Sequence, residues 1–122
     1  MTAASPPRRV LFVEDEAPLS SAYERFFASR LEMAFAASGQ QAEALFDVFR
    51  PEVLVLDMRL PDTDGVDLLR RLRLRQPALP VVITTAYASM QPLMGVMGLN
   101  HSGFLVKPFE LSELEKLIAA AK

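Results

Sequence analysis

A chain of 122 residues, 51% apolar and carrying a net charge of −2, has the length and composition of one folded domain with a sizeable core. That charge gives no general attraction to nucleic acid. With no cysteine and one histidine, His101, disulfides, thiolate metal sites and a thiol nucleophile are excluded, and a histidine metal site or a Ser/His/Asp triad is poorly supported.

Residues 1–8 read as a flexible tail, because Pro6-Pro7 cannot begin a strand. They lack the apolar segment of a leader, and no run approaches a membrane span, so cytoplasm is the expected location. The folded unit is expected over 9–122. Arg9-Val10-Leu11-Phe12-Val13 is a short apolar run ending in Glu14-Asp15-Glu16, a buried strand that runs into acid. Pro18 suits a first helical turn, and Leu19, Ala22, Tyr23, Phe26 and Phe27 recur at helical spacing, which predicts a helix over about 18–29. Met33-Ala34-Phe35-Ala36-Ala37 is a weaker strand candidate, turned by Ser38-Gly39. Ala42, Leu45, Phe46 and Phe49 mark a second helix ending before Pro51.

Val53-Leu54-Val55-Leu56 has no polar alternation and ends at Asp57, as in a parallel strand covered on both faces. Pro61 and Asp64-Gly65 signal the turn that follows. Val66, Leu69 and Leu72, flanked by Leu68, give a third helix carrying Arg70, Arg71, Arg73 and Arg75; these arginines read first as a solvated face and second as a docking surface. Val81-Val82-Ile83-Thr84-Thr85 is a β-branched strand. A fourth helix is expected over about 89–98, weakened by Gly95 and Gly98. Phe104-Leu105-Val106 is the last strand, and Ser112-Glu113-Leu114-Glu115 reads as a capping box opening the last helix.

Five β–α units imply parallel strands with right-handed crossovers, and hence a doubly wound three-layer α/β sandwich, for which strand order 2-1-3-4-5 is the common solution. In that order the strand ends bring Glu14, Asp15, Asp57, Thr85 and Lys107 to one edge of the sheet. Carboxylates gathered so closely repel one another unless a cation intervenes. An all-oxygen site with room for water suits Mg2+. A hydroxyl and an ammonium beside such a cation suit a phosphoryl group, and a carboxylate there can act as nucleophile.

With the acidic residues after strand one, the Leu56-to-Gly65 run, Thr85-Ala86 and Lys107-Pro108-Phe109, the chain resembles the receiver domain of the two-component response regulators over about residues 8–122. The resemblance implies a flavodoxin-like fold and a phosphorylation-dependent switch rather than an enzyme acting on a separate substrate. It implies that Asp57 accepts a phosphoryl group from a histidine kinase or histidine phosphotransfer protein. Asp15 would bind Mg2+ directly, Glu14 through water, and the Arg59 carbonyl would add a ligand beside Asp57. Lys107 would pair with Asp57 and then with the phosphate, and Thr85 would donate its hydroxyl to it. Phe104 would take the aromatic switch position, and Pro108 would follow a cis peptide bond.

Thr84 is a rival to Thr85, and Phe104 reads first as core packing. Glu14 stands where aspartate is commoner in the family, Asn100 where glycine is usual, and His101 reads as a loop residue. Arg59 and Tyr87 lie two residues beyond Asp57 and Thr85, positions that in the family influence attack of water on the aspartyl phosphate, and their bulk predicts slow self-dephosphorylation. Residues 88–106 contain no formally charged side chain and carry Met90, Met94 and Met97 at helical spacing. This predicts an apolar face for an output domain, a partner protein or a second copy of the chain. The alternatives are a Mg2+-dependent phosphohydrolase with an aspartyl nucleophile, a flavodoxin-like nucleotide module and a receiver that works without phosphate. The hydrolase would want a nearby general acid/base and a cap, and the nucleotide module a phosphate loop after strand one, where Glu14-Asp15-Glu16 has the wrong charge.

Overall fold

Each uninterrupted apolar strand divides by parity between two sides of one sheet, because successive side chains of a strand point to opposite faces. Leu11, Val13, Leu54, Leu56, Val81 and Ile83 supply one buried cluster, and Val10, Phe12, Val53, Val55, Val82 and Leu105 the other. The computed structural model, which describes residues 8–88 and 101–122, places helices against both. The strands are β1 (Arg8–Val13), β2 (Leu31–Ala36), β3 (Val53–Asp57), β4 (Val81–Thr85) and β5 (Gly103–Val106). The helices are α1 (Ala17–Phe27), α2 (Gly39–Phe49), α3 (Gly65–Arg75) and α4 (Leu111–Ala120). All strand pairs are parallel, in the order β2-β1-β3-β4-β5, as the sequence predicts.

One cluster takes Ala42 and Phe46 of α2 with Val66, Leu68, Leu69 and Leu72 of α3. The other takes Tyr23 and Phe27 of α1 with Leu114 and Ile118 of α4. Within it the Phe12 ring stacks on Tyr23 at 4.8 Å and on Phe35 at 5.2 Å. Phe104 is half-buried against the α2–α3 side, so its core-packing reading holds. Among the described residues no helix is long and apolar enough to cross a membrane.

Several local expectations change. Arg8, placed in the tail by the sequence, begins β1, and its guanidinium donates to the Ile118 carbonyl at 2.6 Å; residues 1–7 lie outside the described set. The capping box of α4 belongs to Glu110 and Glu113, not to Ser112: Glu110 holds the N-cap, and its backbone N–H donates to Glu113 Oε1 at 3.4 Å. Phe109 and Leu111 pack against the core and fix the helix start earlier than Ser112. Of the α3 arginines Arg70 is exposed, as a solvated face requires, whereas the other three make contacts. Arg71 and Arg75 both pair with Glu43 of α2 at 3.2 Å, and Arg73 donates to the Pro77 and Leu79 carbonyls. The expected fourth helix, Asn100 and the three methionines of the 88–106 stretch lie outside the described residues.

Candidate functional site

Asp57 is the last residue of β3, in register with Thr84 of β4. The strand buries it to 4% exposure at the carboxyl edge of the sheet. Its Oδ1 accepts the Arg59 backbone N–H at 3.0 Å, and its Oδ2 lies 3.1 Å from Lys107 Nζ. Lys107 follows β5 directly, and its backbone N–H donates to the Thr85 carbonyl at 2.7 Å, so the β4–β5 ladder aims the ammonium across the edge. Its peptide bond to Pro108 is cis.

Lys107 gathers acids from β1 as well. Nζ lies 2.9 Å from Glu14 Oε1 and 2.8 Å from Glu16 Oε2. Glu14 is 3% exposed; its Oε2 accepts the Glu16 backbone N–H at 3.0 Å, while its Oε1 meets the ammonium without the alignment of a hydrogen bond. Burial pushes the Glu14 carboxyl up to about 7; the Glu16 N–H and Lys107 oppose this, and the Asp57 charge adds to it. Burial disfavours the charged form of Lys107, but Glu16, Glu14 and Asp57 together outweigh it and hold the ammonium above its ordinary value. The same ammonium holds Glu16 below the usual carboxylate range.

These groups border a cavity of about 990 Å³ lined by Asp15, Glu16, Asp57, Arg59, Tyr87 and Lys107 on its polar side. Pro18, Leu19, Ala22, Pro108 and Phe109 give it an apolar side. Oxygens of Glu14, Glu16 and Asp57 lie within 4.8 Å of one another, a grouping that fits a hard divalent cation. Asp15, expected as the direct ligand, lines the cavity but is outside that grouping, and Glu16, passed over in the sequence, stands in it. Thr85 is buried at the end of β4, and its hydroxyl accepts the Tyr87 backbone N–H at 3.1 Å. Thr84, its rival, is buried as well, and its hydroxyl meets no partner among the described residues.

The site is framed by the β3–α3 loop. Asp64 caps α3, its Oδ1 accepting the Val66 N–H at 2.7 Å, and Gly65 donates to the Met58 carbonyl at 3.0 Å. A Cβ on Gly65 would fall 2.5 Å from Met58 Cα, so only glycine lets α3 start this close to the strand carrying Asp57. Asp62 reaches across to α2, accepting the Gly39 and Gln40 N–H groups at 2.8 and 2.9 Å, a bidentate grip on a helix N-terminus. The sequence signal for that contact is weak, because cap and helix are 22 and 23 positions apart.

The response regulator receiver domain model matches residues 10–119. The chain is 37% identical over 109 residues to the transcriptional regulatory protein TrcR of Mycobacterium tuberculosis, covering 88% of this chain and 42% of TrcR. It is 31% identical over 114 residues to the regulatory protein AtoC of Escherichia coli, covering 93% of this chain and 25% of AtoC. It thus spans less than half the length of these relatives. Among solved structures, the non-phosphorylated HemR receiver domain from Leptospira biflexa is similar at a TM-score of 0.82 and 30% identity, over 93% of this chain and 92% of that one. A match running from the first core strand into the last helix, around a buried aspartate paired with a strand-end lysine, makes this chain a member of the response regulator receiver domain family.

Proposed function

We propose that the chain is a phosphoacceptor switch in which Asp57 takes a phosphoryl group from a phosphohistidine on a histidine kinase or phosphotransfer protein. An Asp57 carboxylate oxygen forms the new bond to phosphorus as the phosphorus–nitrogen bond breaks, and the histidine nitrogen leaves with the electron pair. The observation that carries this reading is the Lys107 ammonium, held 3.1 Å from a nearly buried Asp57 at the carboxyl edge of a parallel sheet. An ammonium placed there stabilises charge on the transferring oxygens.

Mg2+ fits the oxygen donors gathered at this edge, Asp57 with Glu14 and Glu16; Asp15 and Arg59 line the adjoining cavity, and the Arg59 carbonyl would add a ligand. When bound, it supplies charge neutralisation for the incoming phosphoryl oxygens. Lys107 orients the acceptor, the Arg59 N–H fixes its other oxygen, and the apolar cavity wall limits water. The Thr85 hydroxyl, one residue from the cavity-lining Ala86, serves the phosphate once it exchanges the Tyr87 N–H. Its movement is coupled to Phe104 on the adjacent strand, shifting the population toward a form that an output domain or partner protein recognises. Residues 8–122 form this unit, and phosphohistidine donors fit work in the cytoplasm.

The test is incubation of the chain with Mg2+ and acetyl phosphate, with phosphorylation followed by intact mass, alongside Asp57→Asn. A gain of one phosphoryl group that needs Mg2+ and is lost in Asp57→Asn is expected. A wild-type chain that gains none, or an Asp57→Asn chain labelled equally, overturns the reading.

A further inference from the structure

An ammonium has three N–H bonds, and in this chain three carboxylates surround that of Lys107: Glu16 at 2.8 Å, Glu14 at 2.9 Å and Asp57 at 3.1 Å. The three are not equivalent. Glu14 and Asp57 are buried, and the backbone N–H groups of Glu16 and Arg59 hold their second oxygens. The Glu16 side chain is 59% exposed, and among the described residues Lys107 is the only partner of its carboxylate. Its return to water therefore costs least, as for other exposed ion pairs.

Resting on the phosphoacceptor reading above, we propose that Glu16 is a positioning residue, a displaceable counter-ion that occupies the Lys107 donor until an anion at Asp57 takes it. A phosphoryl group arriving at Asp57 brings oxygens that accept charge-assisted hydrogen bonds from the same ammonium. Those oxygens add to the acceptors that compete for the ammonium, and the burial and backbone bonding of Glu14 and Asp57 make Glu16 the carboxylate that yields most readily. The backbone of Glu16 need not follow its side chain. Its N–H keeps hold of Glu14, its carbonyl accepts the first N–H groups of α1 from Leu19 and Ser20, and its side chain makes no capping hydrogen bond. Glu16 thereby sets how readily the site accepts an anion without touching the reacting oxygen.

The test is titration of the full chain with beryllofluoride, a phosphoryl stand-in, at fixed Mg2+, followed by 15N–1H NMR, for wild type, Glu16→Gln, Glu16→Asp and Asp57→Asn. Freed of its competitor, Glu16→Gln is expected to reach half-saturation at a beryllofluoride concentration about two- to fivefold lower, the range of an exposed ion pair. Glu16→Asp, which keeps the charge, is expected to restore part of the wild-type value. A parallel Mg2+ titration without beryllofluoride sets the Mg2+ concentration that saturates each variant, because Glu16 stands among the oxygens that fit the cation. Half-saturation unchanged or raised in Glu16→Gln overturns the proposal while the wild-type response leaves the phosphoacceptor reading standing, as does a Glu16→Gln loss confined to Mg2+ affinity. A wild type that does not respond, or an Asp57→Asn that responds equally, overturns both.

Discussion

The Arg59 guanidinium and the Tyr87 hydroxyl meet at 3.2 Å on the wall of the cavity that contains Asp57. The contact joins the loop after β3 to the segment after β4, and both residues line the cavity that Asp57 borders. Replacing both residues by alanine is expected to shorten the lifetime of the phosphorylated chain about tenfold, equivalent to ~1.4 kcal/mol of barrier. Tyr87→Phe, which removes only the hydrogen bond, is expected to give a smaller change. Loss of label from the phosphorylated protein in buffer measures it, and an unshortened lifetime in the double variant would count against a shielding role.

Gly65→Ala is expected to destabilise the fold by about 1–3 kcal/mol, the range for overpacking, and toward its upper end. The added methyl would meet Met58 backbone atoms at 2.5 to 2.9 Å, and backbone cannot rotate aside as a side chain does. Urea unfolding should show a lower midpoint with an unchanged slope. A midpoint equal to wild type would mean that α3 can slide away from β3 at no cost.

Asp62 gives a pH-dependent contribution of definite sign. The Gln40 and Gly39 N–H groups hold its carboxyl below the ordinary value of 3.8. The folded form thus binds the proton less readily than the unfolded chain, and the stabilisation is present above that ordinary value and lost as pH falls through the folded one. Asp62→Asn is expected to lower the thermal midpoint at neutral pH, with the gap to wild type closing in acid. A gap that stays constant through the acid range would place the effect outside the carboxylate charge.

Tyr23 is fully buried with its hydroxyl unpartnered among the described residues, while its ring packs on Phe12. Burial raises the phenol above its ordinary value. Tyr23→Phe keeps the ring and removes a polar group that is not hydrogen-bonded, so it is expected to be neutral or to stabilise by up to ~1 kcal/mol. A loss of more than that on calorimetric unfolding would reveal a hydrogen-bond partner for the hydroxyl.

Apolar runs placed β1, β3 and β4, because a parallel sheet covered on both faces leaves a distinctive unbroken hydrophobic signature at Val10–Val13, Val53–Leu56 and Val81–Ile83, while the order came from the common solution for five β–α units. The acids and the lysine at the strand ends followed from that order. Contacts between distant segments were not legible in the same way. Glu16 looked like one more acid in a row until Lys107, 91 positions away, was seen to lie against it. Asp64-Gly65 reads as a turn from residue type alone, whereas the glycine is required by proximity to Met58. Ser112 had the better cap chemistry, but the packing of Phe109 and Leu111 moved the helix start to Leu111.

The hydrogen bond from Arg8 to the Ile118 carbonyl has a consequence for engineering. It draws the entry of the first strand and the exit of the final helix together on the margin of the sheet opposite the acid cluster. A short linker could therefore join Arg8 to Lys122, and the ring could be reopened at the exposed Pro77-Ala78 tip. Such a circular permutant would have its new termini also on the margin away from Asp57, and a pair of fluorophores attached there would leave the edge that carries Asp57 and Lys107 unobstructed.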